Sequence, residues 1–244
     1  MRSWIFITLA AVFLTGVVPN GGDSQLSHKT MTAKVDTNFI LKEKTGDYYH
    51  IVFIERNRKS EYYNRLMDFS MSEFGLQDYK GNLTGLKKRY PKHLKKYNLP
   101  GLPKEWIPLY AYKGKYYVYI PMEAGELGRK IITDSTLIYW FMDGRYPERI
   151  QSFKKTGKNV WNFQIHSPYI DQKNVQIIIH IIDPINQIAI WENTGYHGNG
   201  RYELYIPKNK AKNFDVIVNE CKQGKLGEFN FDSVDYRSLL KSKP

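Results

Sequence analysis

Six histidines, one cysteine and a scatter of turn carboxylates are the groups in this sequence whose chemistry could run a reaction. His28, His50, His93, His166, His180 and His197 lie far apart. No pair has the spacing that puts two imidazoles on one helix face, and none adjoins a cysteine. His180 sits in the apolar run VQIIIHII (175–182), on the face shared with Ile178 and Ile182, and reads as a hydrogen-bonded core histidine. Cys221 ends an apolar run and reads as a packing residue. GxSxG does not occur. Glycoside hydrolysis needs two convergent carboxylates. Asp134, Asp143, Glu148, Asp171 and Asp183 lie on or near turns, where aspartate serves turn chemistry, and their spacing selects no pair. No catalytic or metal-ligating residue is therefore assigned, and no cofactor is expected.

Residues suited to recognition are more prominent. The chain has 19 Tyr, 12 Phe and 5 Trp. Tyr110, Tyr112, Tyr116, Tyr117 and Tyr119 crowd one hairpin, and strand alternation puts Tyr117 and Tyr119 on one face. A tyrosine offers a large apolar face and a polar tip, which suits glycan or protein recognition. Cross-strand aromatic pairing is the alternative. Gly195 to Gly200 is a glycine-rich connection with Tyr196 and His197 at its tip, a second candidate contact. From Lys80 to Lys104 the chain carries eight Lys/Arg and no acid. Lys87, Lys88, Arg89, Lys92, Lys95 and Lys96 in this stretch are candidates for an anionic partner; a solvated helix face is the plainer reading.

The elements that must position these residues are mostly strands. Tyr48–Glu55 (YYHIVFIE) is rich in β-branched and aromatic residues. A helical insert over about 60–98 follows this first strand. Tyr62, Leu66 and Phe69 share one helical face over 60–74, with Ser60 as N-cap and Gly75 as C-cap, and a short helix is expected over 91–97. Strands are then expected at 107–112, 115–120, 129–133, 136–142, 147–154, 160–165, 175–182, 187–192, 202–206 and 214–220. A short helix is expected over 235–241. Close spacing and turn residues at Lys113-Gly114, Asp143-Gly144 and Asp183-Pro184 argue for an antiparallel meander forming a barrel or sandwich. Runs 136–142 and 175–182 are apolar on both faces, so they belong in the middle of the fold or line an apolar interior. The layout resembles that of small lipid-carrying barrels of the fatty-acid-binding type, which implies an enclosed apolar ligand.

Residues 1–22 read as a signal peptide: Arg2, an apolar run from Trp4 to Val18, then Pro19-Asn20-Gly21-Gly22, with cleavage between Gly16 and Gly22. Residues 23–46 read as a flexible leader, with a short strand near Phe39–Leu41, and 47–244 as one β-rich domain. A single cysteine permits no internal disulfide. Export without disulfides suggests the periplasm or surface of a bacterium. The formal charge is +12, or +11 without residues 1–22, which carry one Arg and no acid. Positive charge favours an anionic glycan, a lipid or an acidic protein as partner, and export argues against nucleic acid. The expectation is an exported, non-enzymatic binding or interaction protein. The alternatives are a carrier of an apolar ligand in a barrel interior and a hydrolase of an envelope polymer.

Overall fold

The strand-forming runs read from the sequence pair with one another in the computed structural model of the chain, which describes residues 38–90, 94–122, 127–141, 143–166, 174–195, 198–222 and 228–241. The proposed signal segment lies outside them. The described chain runs β1 (Asn38–Thr45), β2 (Tyr48–Glu55), α1 (Glu61–Met67), α2 (Glu73–Arg89), β3 (Glu105–Tyr112), β4 (Lys115–Ile120), β5 (Lys130–Ile132) and β6 (Thr136–Phe141). It continues through β7 (Gly144–Gly157), β8 (Val160–His166), β9 (Asn174–Asp183), β10 (Ile188–Asn193), β11 (Tyr202–Pro207), β12 (Asp215–Lys222) and α3 (Tyr236–Lys241).

Eight strands, β3 and β5–β11, form a closed antiparallel barrel. Each of β5–β10 pairs with the next, and β3 closes the ring through Leu109↔Leu204 on β11 and Trp106↔Lys130 on β5. Barrel thus wins over sandwich. Alternation decides which side chains fill it. Trp161, Phe163 and Ile165 of β8 and Val175, Ile177, Ile179 and Ile181 of β9 point inward. Trp106, Trp191 and Tyr205 join them, all at most 7% exposed. The interior is therefore a packed core.

The other half of β3 pairs with β4 (Tyr110↔Tyr117) and leads into a lateral sheet, β1–β2–β12–β4. Lys113 and Gly114 both have positive φ, 48° and 73°, as the tight hairpin between β3 and β4 demands. The sheet departs from a meander at β12, which inserts between β2 and β4 and runs parallel to β4. A second core lies between this sheet, the outer wall of β3, β10 and β11, and α1, with Tyr63 and Leu66 fully buried.

Three local expectations need correction. β1 spans Asn38–Thr45 and pairs with β2, so the strand expected near Phe39–Leu41 is longer than three residues, and the stretch read as a leader up to residue 46 is strand from residue 38 on. Helix 60–74 is two helices. Ser60 stands at the N-cap of α1 without a cap hydrogen bond. Gly75 lies in the first turn of α2, donating its N–H to Ser72 Oγ at 3.1 Å, so it caps no C-terminus. Leu94–Leu99 form no helix; Tyr97 N–H donates to the carbonyl of Asp134 instead. The registry-setting contact was too distant in sequence to see.

Candidate functional site

α2 carries Tyr79, Leu83 and Leu86, spaced four and then three residues apart, and then Tyr90 just past its end. Leu86 is buried against the fold, while Tyr79, Leu83 and Tyr90 stay half-exposed. The helix is held on β7 by Asp78 and Asn82. Asp78 Oδ2 accepts the Arg145 N–H at 3.1 Å, and Asn82 Nδ2 donates to the Arg145 carbonyl at 3.0 Å. Asn82 heads a glycosylation tripeptide, but its amide is used here, within a helix.

This docking leaves a groove of about 780 Å³ between α2 and the turn joining β5 to β6. Tyr79, Leu83, Tyr90 and Leu94 give it apolar walls; Lys87 and Lys96 stand on it, with Thr133–Thr136 opposite. An adjoining hollow of about 620 Å³ shares Thr133 and Asp134 and runs along Tyr97–Leu99 and Leu102–Glu105. The Tyr90 ring is covered by the Arg149 guanidinium at 4.8 Å and met edge-on by His166 at 5.4 Å. Asp134 is the acid on the groove. The Ser135 hydroxyl and Lys96, at 3.4 Å, hold its carboxyl below the usual range.

The basic stretch is thus gathered rather than scattered. Lys87 and Lys96 line the groove, and Lys88, Arg89 and Lys95 are exposed on its flank. Lys92 lies outside the described residues. The dipole of α2 favours its last turn, Lys87, Lys88 and Arg89. Arg149 and His166 were not legible as members, because β7 and β8 bring them from about sixty residues or more away.

The tyrosine candidates are placed differently. Tyr117 and Tyr119 are each 7% exposed, within a cluster also holding Val52, Ile217, Tyr110 and Tyr112. Phe229 and Phe231 cover them, Phe231 stacking on Tyr110 at 4.3 Å. They are packed against the chain's own C-terminal segment. Tyr196 and His197 lie outside the described residues. Cys221 is half-buried opposite His50 across β2 and β12. His50 Nε2 meets Asn219 Oδ1 at 2.8 Å; Asn219 donates to the Tyr119 hydroxyl, which donates to Glu228. His180, on the outer wall, lies 3.6 Å from Glu192. Asp183 accepts from Ile185 and Asn186 and shapes its own turn, and Asp143 accepts from the Tyr146 hydroxyl. Among the described residues no three His, Cys, Asp or Glu gather to hold a metal ion, and no helix is long and apolar enough to cross a membrane.

No family model, no curated protein and no solved structure matches this chain.

Proposed function

We propose that this chain is an exported, non-enzymatic binding protein that holds an anionic amphiphile, an acyl chain bearing phosphate or carboxylate, in the groove beside α2. One observation carries the reading: apolar walls and the basic stretch meet in one concave place. An apolar groove alone would suit any oily molecule, and a basic flank alone any anion. Their union, with a single acid already paired to Lys96, favours a ligand with both parts. Export rests on the signal-like residues 1–22, and a bacterial periplasm or surface supplies anionic amphiphiles in quantity. Carriage inside the barrel is the weaker alternative, since large side chains fill the interior. A hydrolase reading would need a convergent pair of carboxylates.

The test is cosedimentation of residues 23–244 with vesicles of mixed anionic and zwitterionic phospholipid. Zwitterionic vesicles serve as control. Juxtamembrane cations contribute about 1 kcal/mol each. Lys87→Glu, Lys95→Glu and Lys96→Glu together should therefore weaken binding by about a hundredfold or more. Leu83→Asn should weaken it without changing net charge on the groove. Equal binding to both vesicle types, or full binding by the triple variant, would end the proposal.

A further inference from the structure

We propose a second ligand site, at the end of the barrel where β10 stops and β11 starts, that takes a neutral saccharide ring. The proposal rests on neither the groove nor its ligand. Lys130 on β5 points inward here and is 7% exposed. Its Nζ donates to Glu203 Oε2 at 2.5 Å and lies over three rings: Tyr205 at 4.3 Å, Trp191 at 5.1 Å and Tyr139 at 5.5 Å. The Trp191 side chain is buried, at 2% exposure, and its indole N–H has no hydrogen-bond partner among the described residues. Asn193, two residues on, is buried on the same inward face. Glu148, opposite Leu137, adds a buried carboxyl to that face.

Core stability alone does not explain this set. Burying a lysine costs free energy that a half-exposed partner offsets only in part. A buried donor without a partner costs its desolvation. A ligand supplying acceptors to the indole and to the remaining ammonium hydrogens would offset both. Two groups at the rim stand in solvent: the Glu203 side chain is 48% exposed, and Phe141, 40% exposed, stacks parallel on Tyr139 at 5.9 Å. Sugar hydroxyls can accept from Lys130 and Trp191 and donate to Glu203, while the C–H face of the ring packs on the aromatic rim. The Lys130 charge is already met by Glu203, which separates this ligand from the anionic one assigned to the groove.

The experiment is titration of the full mature chain with cello-, malto- and chito-oligosaccharides, followed by intrinsic tryptophan fluorescence. An oligouronate is the anionic control. At least one neutral series should bind saturably. Trp191→Phe replaces the indole with a smaller ring and removes the donor, so binding, read for this variant by calorimetry because a reporter tryptophan is gone, should weaken about tenfold in a chain that circular dichroism shows to be folded. Glu203→Gln, at a half-exposed position, should weaken it as well. Lys158→Glu, on an exposed turn, should leave it unchanged. The proposal is overturned if none of the three neutral series binds, if Trp191→Phe binds as tightly as the parent, or if the oligouronate binds more tightly than all of them.

Discussion

Gly144→Ala tests how α2, and with it the groove, is held on the barrel. Gly144 opens β7, and a Cβ there would fall 2.6 Å from Asp78 Oδ2. Its φ is not positive, so space rather than backbone conformation demands glycine. The carboxylate can swing away from an added methyl, but it must then release two donors, the Arg145 N–H at 3.1 Å and the Asn82 amide at 3.2 Å. Bonds to a charged acceptor are worth about 1.5–3 kcal/mol at best, and partial exposure lowers that, so the loss should be about 1–3 kcal/mol. For a chain of this size that is a fall in melting temperature of roughly 2–4 °C per kcal/mol. Asp78→Ala should cost a similar amount by losing the same bonds. The two changes share one cause, so the double variant should be no less stable than Asp78→Ala alone. Thermal or urea unfolding of the four proteins completes the cycle. Additive losses would refute the argument, because the glycine would then be required by something other than Asp78. Vesicle binding should fall in Gly144→Ala to the extent that α2 is displaced.

Other outcomes follow from the same contacts. Burial, with Glu228 accepting from its hydroxyl, pushes Tyr119 up to about 12 from 10.0. The folded chain therefore keeps this proton while the unfolded chain releases it, so its contribution is intact below pH 10.0 and is lost as pH rises toward 12. Urea midpoints measured across that window should fall, and less steeply in Tyr119→Phe. Asn219→Ala should destabilise by about 1–3 kcal/mol, since it strands His50 and Tyr119 beside a residue only 1% exposed; a change within experimental error in the unfolding midpoint would contradict the chain of bonds. Phe231→Ala should uncover the tyrosine cluster, giving faster proteolysis after Tyr112 and increased binding of a hydrophobic dye.

Much of the fold was legible because strand pairing follows local signals. The period-2 alternation in VWNFQIH (160–166) settles which of its residues enter the barrel. Lys113-Gly114 fixes a hairpin through two positive φ angles. Runs such as 175–182 read as apolar on both faces because β9 has a core inside and a covered wall outside, where Ile182 packs against the second core. Helical boundaries were less legible. Ser60 and Gly75 carry cap-like identities, but Ser72 is the residue whose oxygen starts α2.

What the sequence by itself determined is a basic, aromatic-rich chain with a signal-like start, a series of strands and a cluster of cations beside α2. Those properties are local, written in composition and in spacings of two to four residues. Tertiary structure alone decided that the strands close into a filled barrel, that β12 runs parallel beside β4, and that Phe229 and Phe231 cover Tyr117 and Tyr119. It also placed Lys130 against Glu203 and three rings, and Arg149 against Tyr90. Apart from Lys130 over Tyr139, nine positions on, each of these contacts joins residues tens of positions apart. Their formation depends on which long loop closures the buried area can sustain, and no short window of sequence records that choice.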